Sequence, residues 1–460
     1  MAAKILILTT EPLPLPGLAT TGAGLRAWSL GFGLRSAGLR NVTIAFAADA
    51  IRGKQVDLSA VPGIATFERG RLDDFIAEQA PDAVVLQHWP LFSEIRRPLP
   101  CPLAIDLAGP HLLERRLWNS ANPAGDLAEK LRALAAADFV VCSGAFQRHY
   151  FLPFLIQAGH DPRANLCPVI PFSVSPELPQ PTPGRDHATF IYGGMFLPWQ
   201  NPEMILRTTI EVLEEKDRGR LLFIGGAHPG GDVSGGRFDT LMEFLAKSPR
   251  VEMLPVMPFD KMLIQLRGAG VALDLMTRNA ERELAFPTRT ITYMWAGLPT
   301  IHNTFDELAE PIERGKAGWT FAEDDREGVA KLVGRLLGHR EDVERRSRNA
   351  QDLIRASYTW DKTIGPLADW CRDPRVRGGK SAPVIAMPEG PTPEADKPAA
   401  RKKSAKGHIS YSPPRATTDT SGGPWYLSPI VFLLALPVSA ALILLFGLAE
   451  IARLLLRGKR

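Results

Sequence analysis

The chain has 460 residues, with 54 Lys and Arg against 50 Asp and Glu, for a formal net charge of +4. This length exceeds one ordinary domain of roughly 150 residues. The 45% hydrophobic and 23% charged residues are typical of a globular protein, which excludes a wholly disordered chain and a polytopic membrane protein. So small a net charge does not by itself indicate a nucleic-acid binder, and we expect none as a partner.

Short apolar runs alternate with amphipathic stretches along most of the chain. Strands are predicted at 4–10, 42–47, 83–87, 103–106 and 139–142, with helices at 25–37 and 127–137 between them. After a proline-rich break at 171–184, strands are predicted at 189–192, 221–224, 251–254, 271–275 and 299–301, with a helix at 202–215. This alternation predicts an α/β protein of two Rossmann-like domains. Their parallel strands would end at an interdomain cleft, where ligands bind in such folds.

Neither the amino terminus nor the cysteines suggest export of this two-domain body. The apolar run Ile5 to Thr9 is too short for the core of a signal peptide and has no cleavage site after it. The four cysteines, at 101, 142, 167 and 371, form no CxxC pair, which predicts buried thiols and neither a disulfide framework nor a metal site. We therefore expect a cytoplasmic body.

The carboxyl-terminal part differs in composition from the rest. Residues 375–424 contain eight prolines and one aromatic residue, which predicts a disordered linker. Residues 427–449 are 23 residues without a charge, and about 20 helical residues cross a bilayer. With Trp425 and Tyr426 in front, they predict a transmembrane segment at 425–449, followed by a basic tail at 450–460. Because Pro437 would kink such a helix, a re-entrant segment remains an alternative to a single pass through the inner membrane.

The net charge is divided unevenly between these two parts. Residues 375–460 contain 13 Lys and Arg but only 5 Asp and Glu, so they carry +8 and the first 374 residues carry −4. The basic residues thus lie in the linker and beside the apolar segment, where anionic lipid headgroups would attract them. The sequence predicts an acidic body attached to a basic membrane tail.

Several polar residues follow the predicted strands of the first half. Gly22-Ala-Gly24 opens a helix after the first strand, where backbone N–H groups can approach a ligand, although a tight turn explains the glycines equally well. Arg26 is a candidate for binding an acceptor, or a surface residue of that helix. His88 and Asp106 end the next two strands, and His111 follows shortly after. Each is a candidate general base, with a helix cap or a packed histidine as the alternative.

The second half contains loops suited to an anionic ligand. Gly193 and Gly194 follow a strand and precede a helix that Asn201 caps, so their backbone could approach a diphosphate. A second glycine-rich loop lies at 225–231, with a surface loop as its alternative. Thr288 and Arg289 lie at the start of a helix, and an arginine at a helix N-terminus is suited to a nucleotide diphosphate. An ordinary surface arginine is the alternative there.

Residues 1–372 resemble the family 4-type retaining glycosyltransferases of the GT-B fold. The resemblance rests on Gly193-Gly194 through Trp-Gln-Asn-Pro202, Glu283 through Pro-Thr-Arg289 to Gly-Leu-Pro299, Thr304-Phe-Asp-Glu-Leu308, and Tyr358-Thr-Trp360. It implies an acceptor domain at 1–170 and a nucleotide-sugar domain at 171–374, whose last helix, 358–371, crosses back to the first domain. It also implies retention of anomeric configuration without a metal or other cofactor.

The resemblance also assigns donor-site residues by position. Glu283 would contact the donor sugar, Thr292 stands where many members have a second acidic residue that holds the ribose, and Arg289 would lie near the diphosphate. Gln200, Thr288 and Asp306 lie in the matching motifs. This chain departs from the pattern at Met195 and Gln200, where Arg and Lys often occur, and at Asp106, near the usual catalytic histidine.

Three functions are compatible with these features. The first is a bacterial cell-envelope enzyme that transfers a sugar from a nucleotide-sugar to a lipid-linked or polysaccharide acceptor at the bilayer. The second is a catalytically degenerate GT-B protein that acts as a membrane-tethered scaffold, which the departures at Met195, Gln200 and Thr292 would explain. The third is a nucleotide-sugar epimerase on the same fold.

Overall fold

The computed structural model describes residues 3–54, 56–118, 122–226, 236 and 238–378. The predicted alternation of strands and helices is confirmed in this part of the chain. The strands are β1 (Ile5–Thr9), β2 (Val42–Ala47), β3 (Ile64–Phe67), β4 (Ala83–Gln87), β5 (Leu103–Leu107), β6 (Phe139–Cys142), β7 (Thr189–Met195), β8 (Arg220–Gly226), β9 (Val251–Leu254), β10 (Val271–Asp274), β11 (Thr300–Asn303) and β12 (Gly318–Phe321).

In the described part of the chain, the connections from β2 to β3 and from β4 to β5 contain only 3₁₀ turns, and the other consecutive strands are connected by α-helices. The helices are α1 (Gly22–Ser36), α2 (Leu72–Gln79), α3 (His111–Leu117), α4 (Pro123–Ala136), α5 (Ala145–Gln157), α6 (Glu203–Glu215), α7 (Asp239–Lys247), α8 (Phe259–Gly268), α9 (Ala280–Leu284), α10 (Thr288–Trp295), α11 (Ala309–Gly315), α12 (Arg326–Leu336), α13 (Arg340–Ser357), α14 (Trp360–Thr363) and α15 (Gly365–Arg372). Short 3₁₀ turns occur at Ala48–Ile51, Leu58–Ala60, Arg69–Arg71 and Trp89–Glu94.

The strands form two parallel six-stranded sheets. Their orders are β3-β2-β1-β4-β5-β6 and β12-β11-β10-β7-β8-β9, which are the same topology repeated. In each sheet the order reverses beside the first strand, β1 or β7, and ligands bind at such a reversal. We call the part built on the first sheet the N-lobe and the part built on the second sheet the C-lobe.

The central strands are buried on both faces. All five residues of β1 are buried, with Ile5 in register with Val42 on one side and Ala83 on the other. Side chains of a strand alternate between the faces of its sheet, so a continuous apolar run fits a strand that helices cover on both sides. This explains why the central strands could be recognised from the sequence.

The two strands missing from the prediction, β3 and β12, lie at sheet edges. Each has only four residues and is partly exposed. An edge strand pairs on one side only and needs less apolar surface, so its sequence pattern is weak.

The last helices pack against the N-lobe. Ile364, Leu367 and Cys371 lie in the same hydrophobic core as residues of β1 and α1. The ring of Trp370 stacks on Phe139 of β6, with their centroids 5.5 Å apart. The chain that enters the C-lobe after residue 170 therefore returns to the N-lobe before residue 372.

The first residues of the predicted linker are held in place, which corrects its start. The backbone N–H of Arg377 donates to Asp138, and its guanidinium donates to the carbonyl oxygens of Ala135, Ala137 and Gly159. The prediction of a linker from residue 375 overlooked this anchor because the partners of Arg377 lie more than 200 residues away in sequence.

The remaining tail predictions fall outside the described residues. These are the rest of the linker, the apolar segment at 425–449 and the basic tail at 450–460. Among the helices that the structure describes, none combines the length and apolar character that a bilayer span needs. All four cysteines are free thiols, and Cys142, Cys167 and Cys371 are buried.

A buried lysine lies between α4 and α5 in the N-lobe. The ammonium group of Lys130 is 3.7 Å from the ring centroid of Phe154, and the rings of Tyr150 and Phe151 also lie within 5 Å. It makes no hydrogen bond to the described residues. Burial lowers the pKa of Lys130 from its ordinary value to about 7. The packing of α5 therefore includes an amine that loses its charge near neutral pH.

The variant Lys130→Met is expected to raise the free energy of unfolding more at pH 7 than at pH 10. The pKa of Lys130 is about 7 in the folded protein and ~10.4 in an unfolded chain. Between these values the unfolded chain binds more protons, so stability rises with pH by up to about 1.4 kcal/mol per unit, a dependence that methionine removes. Denaturant unfolding at the two pH values measures this, with the exposed Lys331→Met as control. An equal gain at both pH values would contradict it.

Candidate functional site

A cleft of about 800 Å³ lies between the two lobes, and it contains most of the residues singled out from the sequence. Of the predicted residues, those that line it are Gly22, Arg26, His88, His111, Gly193, Gly194, Gln200, Thr288, Arg289 and Thr292. Asp106, Glu283, Asp306 and Gly24 are not among its lining residues. The cleft lies at the carboxyl ends of both sheets, where parallel topology concentrates functional groups.

Arg289 is the central cation of the C-lobe wall. Its Nη1 donates to Asp274 Oδ1 at 3.2 Å and to the Tyr192 hydroxyl at 3.3 Å, and its Nη2 donates to Gln200 Oε1 at 2.9 Å. The guanidinium also lies over the Tyr192 ring, 5.0 Å from the centroid. Burial alone would lower the pKa of Arg289, but Tyr192 and Asp274 raise it above its ordinary value. The side chain is 17% exposed, so a fixed, permanent charge faces the cleft.

The glycine pair of β7 allows this arginine to pack against the backbone. A Cβ at Gly194 would lie 2.6 Å from Arg289 Nη2. The hydroxyl of Tyr293 accepts from Gly193 N at 2.7 Å and donates to Gly193 O at 3.0 Å, which fixes the strand end. The glycines thus bring a strand end, a helix start and a cation together at one wall of the cleft.

The start of α10 faces the same space. Its N-cap residue, Pro287, makes no side-chain hydrogen bond to the first turn, and Thr288, Arg289 and Thr292 line the cleft. The Thr292 hydroxyl donates to Thr288 O at 3.0 Å. A helix N-terminus with an adjacent arginine provides N–H donors and positive charge for an anion.

The acidic residue of α9 that lines the cleft is Glu281, whereas the prediction named Glu283. Glu281 forms a two-point ion pair with Arg282, at 2.5 and 2.8 Å, and both residues line the cleft. Glu283 is 42% exposed and pairs with Arg278 at 2.6 Å. Two residues along a helix correspond to about 200° of rotation, so the two carboxylates lie on opposite sides. Burial raises the pKa of Glu281.

His88, His111 and Glu114 form a cluster in the N-lobe wall. The rings of His88 and His111 stack with their centroids 5.3 Å apart, and Nδ1 of His111 lies 3.0 Å from Glu114 Oε2. Burial lowers the pKa of His88 to about 4, so its ring is neutral at pH 7. Burial favours a raised pKa at Glu114, but the hydrogen bond and charge of His111 outweigh it and lower the pKa.

The backbone at His88 is strained. Its φ is +64°, a region that non-glycine residues rarely adopt, and its N–H donates to Asp106 O at 3.0 Å. Its Nδ1 has no hydrogen-bond partner among the described residues. Strain of this kind persists where the surrounding structure enforces it, and functional sites are common among such places.

Asp106 lies in a buried ion pair, which corrects the prediction of a general base. Its two oxygens accept from Arg26 Nε at 3.1 Å and Nη2 at 2.9 Å. Nη1 of Arg26 donates to the carbonyl oxygens of Ile170 and Pro171. Asp106 is fully buried and Arg26 is 2% exposed. This pair therefore joins α1, β5 and the segment that leads to the C-lobe, and both oxygens of Asp106 already accept from Arg26.

The other two predicted residues outside the cleft also have structural contacts. Gly24 lies in the first turn of α1, where a Cβ would overlap Pro12 O. Asp306 is buried behind Arg289 and pairs with His302 Nε2 at 2.9 Å. Of the loop at 225–231, Gly225 lines the cleft with φ +114°, and residues 227–231 fall outside the described part.

Sequence reasoning missed several lining residues, among them Glu114, Arg115, Trp118, Trp199, Glu281 and Arg282. Glu114 is three residues after His111 on α3, a spacing that places both on one helix face and that could have been recognised. The edge-to-face contact between Trp118 and Trp199, at 5.1 Å, joins residues 81 positions apart from opposite lobes. No local pattern predicts such a contact.

Comparison with solved structures identifies the fold. Sucrose-phosphate synthase from Thermosynechococcus elongatus matches with a TM-score of 0.59 at 16% identity, over 80% of this chain and 98% of that one. Anabaena HepE in complex with UDP and glucose gives 0.55 at 15%, over 80% and 98%. An alpha-glucosyltransferase in complex with UDP-glucose and DNA gives 0.55 at 12%, over 80% and 99%. The chain thus has the two-domain fold of GT-B glycosyltransferases.

At these identities the likeness concerns the fold alone. No protein-family model matches the sequence, and no curated protein matches it either.

The variant Asp106→Asn is expected to lower the free energy of unfolding by about 3 kcal/mol, because removing one charge of a buried pair leaves the other uncompensated. Chemical denaturation of the purified protein measures this. The exposed pair of Arg163 and Asp161 provides the control, and Asp161→Asn should change stability far less. Equal effects of the two variants would show that the pair of Asp106 and Arg26 has no special structural role.

Proposed function

We propose that this protein is a glycosyltransferase that uses a nucleoside-diphosphate sugar as its donor. The observation that carries the proposal is Arg289, a partly exposed cation beside a glycine-rich strand end and a helix start, all facing one interdomain cleft. This combination suits a diphosphate group. Proteins of the same fold whose structures contain UDP or UDP-glucose add support.

The C-lobe residues would act on the leaving group. When the glycosidic bond of the donor breaks, negative charge accumulates on the diphosphate. Arg289 is held rigidly by Asp274 and Gln200, so it can stabilise that charge without reorganising. Arg282 lines the same cleft and adds a second cation. We propose that these two arginines and the backbone amides of α10 perform this task without a metal, with Gln200 acting through Arg289.

The cluster of His88, His111 and Glu114 in the N-lobe would activate the hydroxyl of the acceptor. In the proposed arrangement Glu114 orients His111 through its Nδ1, which leaves Nε2 of His111 to accept a proton from an attacking hydroxyl. The neutral ring of His88 beneath it adds no competing positive charge. Retention of anomeric configuration, which we also propose, requires the hydroxyl to attack the anomeric carbon on the face from which the diphosphate leaves, so that the new bond takes the side of the broken one. NMR of the product identifies the anomer formed.

The acceptor would be lipid-linked or a surface polysaccharide at the bacterial inner membrane. The sequence supports this through the uncharged run 427–449 and its basic flanks. Tethering would raise the effective concentration of a membrane-bound acceptor near the cleft.

A membrane-tethered scaffold without catalysis is the second candidate. The observation in its favour is that the loop after β7 has Met195 and Gln200 where related proteins often have basic residues, so fewer cations are available for a diphosphate. Nucleotide binding without turnover would select this candidate. The opposite outcome, turnover with transfer, would exclude it.

The first experiment measures binding and turnover with a panel of nucleoside diphosphates and their sugars. One nucleotide class is expected to bind by calorimetry, and its sugar to be slowly hydrolysed or transferred. In Arg289→Ala, affinity for the diphosphate should fall about tenfold or more, because a hydrogen bond to a charged group contributes about 1.5–3 kcal/mol. In His111→Asn, binding should persist while turnover falls about 100-fold, the lower range for general acid–base catalysis.

Arg278→Ala is the matched control for this experiment. Arg278 lies in the loop before α9, but its side chain is exposed and pairs with Glu283, away from the cleft. It should bind and turn over like the unmodified protein. Absence of any nucleotide binding, or equal effects of the two arginine variants, would exclude the proposed donor site.

The tail prediction concerns vesicle binding. The full chain is expected to sediment with vesicles that contain anionic lipids, and a chain ending at residue 378 should stay in the supernatant. The shortened chain retains the described N-lobe contacts of Arg377, so it should fold and bind nucleotide like the full chain. Equal sedimentation of both chains would place the membrane attachment elsewhere or rule it out.

A further inference from the structure

The loop between β11 and α11, residues 304–308, carries two adjacent carboxylates that serve different lobes. Asp306 is buried within the C-lobe, whereas Glu307 reaches the N-lobe. The two residues share a peptide bond, so their positions depend on one short turn. The Asp306 carboxylate also accepts from Leu308 N at 3.0 Å, which closes the turn.

Asp306 is connected to Arg289 by a buried chain of hydrogen bonds. Nε2 of His302 lies 2.9 Å from Asp306 Oδ1, and Nδ1 of the same ring lies 3.1 Å from the Thr290 hydroxyl. The hydroxyl in turn donates to Asp274 Oδ2 at 2.6 Å, and Asp274 Oδ1 accepts from Arg289. The four residues behind Arg289 are all more than nine-tenths buried.

Hydrogen-bond valence fixes the charge of His302. The single hydroxyl proton of Thr290 is used by Asp274, so Thr290 can only accept from His302 Nδ1. The other ring nitrogen then donates to the Asp306 carboxylate, which makes the ring an imidazolium. In agreement, the charge of Asp306 outweighs burial and raises the pKa of His302. The chain is thus a series of alternating charges that ends at Arg289.

Glu307 caps a helix of the opposite lobe. Its carboxylate accepts from the backbone N–H groups of Phe146 and Ala145, in the first turn of α5. Gly144, the N-cap residue of that helix, has no side chain to do so. A carboxylate at a helix N-terminus is favoured by both the free N–H donors and the helix dipole.

Gly144 leaves room for this contact. A Cβ at this position would overlap Oε2 of Glu307. The φ of Gly144 is −158°, which any residue can adopt, so only the approach of Glu307 requires a glycine. Alanine at this position would displace the carboxylate without straining the backbone.

We propose that Glu307 is an interdomain latch: its docking on the start of α5 fixes the loop 304–308 and thereby positions Arg289, through Asp306 and His302, for the donor diphosphate. The proposal rests on the proposed function, because it takes the diphosphate as the ligand of Arg289. It makes Glu307, Asp306 and His302 positioning residues, since none of them lines the cleft. Donor binding and closure of the lobes are then coupled.

The test compares the affinity for the bound nucleoside diphosphate with that for its nucleoside, by calorimetry on the full chain. In Gly144→Ala, the diphosphate should bind about fivefold or more weakly, the lower range of coupling between sites, while the nucleoside binds as before. The same selective loss is expected for Glu307→Ala and for His302→Gln. Because both alanine variants break one contact, the double variant Gly144→Ala with Glu307→Ala should lose no more than Glu307→Ala alone.

Gly125→Ala is the matched control for Gly144→Ala. Gly125 also lies at a helix N-terminus, and its Cβ would overlap a capping side chain, that of Asn122, but that side chain belongs to the same lobe. This variant should leave the affinity ratio unchanged. For His302→Gln, the control is His160→Gln, a buried histidine of the N-lobe that contacts Leu134 O.

Four outcomes would overturn the latch: an unchanged ratio in Glu307→Ala, equal losses for nucleoside and diphosphate, additive losses in the double variant, or a loss in Gly125→Ala as large as in Gly144→Ala. If Gly144→Ala does not fold, Glu307→Ala decides.

The two proposals, the donor site and the latch, fail separately. A loss of diphosphate affinity in Arg289→Ala with no effect of the latch variants removes only the latch. No diphosphate binding in the unmodified protein removes both.

Discussion

The C-lobe is organised around one constraint, a guanidinium that must be neutralised inside the protein and yet remain available to the cleft. Arg289 meets it by using Asp274, Tyr192 and Gln200 on one side, while its Nε makes no hydrogen bond to the described residues. Gly194 is required because the guanidinium packs on its backbone. The glycine pair, the start of α10 and the buried carboxylate of β10 are thus parts of one arrangement. A change in any of them would alter the position of the Arg289 guanidinium.

The N-lobe contains a buried arginine used in the opposite way. Arg26 donates from three nitrogens to Asp106 and to the backbone that leads into the C-lobe. Both arginines were candidates for ligand binding from the sequence, because each lies in a helix after a strand. The two arginines differ in their acceptors and in their exposure: Arg26 donates to four acceptors and is 2% exposed, whereas Arg289 donates to three and is 17% exposed at the cleft. That difference depends on residues 80 and 144 positions away, so no local motif reveals it.

The same reasoning explains how far the sequence could predict the molecule. Central strands such as β1 and β4 were recognisable because burial on both faces demands an uninterrupted apolar run, and the ends of those runs located the cleft. Edge strands β3 and β12 lack that demand. Within the site, Arg289 and His111 could be placed by the elements that carry them. Glu281 and Glu283 could not be distinguished, because a shift of two residues along a short helix reverses the side that faces the cleft. The latch at Glu307 joins residues 161 positions apart and was invisible to any local pattern.

The path of the chain joins the carboxyl-terminal tail to the N-lobe and not directly to the C-lobe. After the C-lobe is complete, α14 and α15 return to the N-lobe core, and Arg377 then fixes the backbone beside α4 and α5. The N-lobe would therefore bear any force applied to the tail. The C-lobe is joined to the N-lobe through the segment at Ile170 and Pro171, the return before α14 and the contacts across the cleft. Under the proposed function, the lobe that receives the acceptor is the one joined directly to the tail, and the lobe that carries the donor is connected to the tail through the N-lobe.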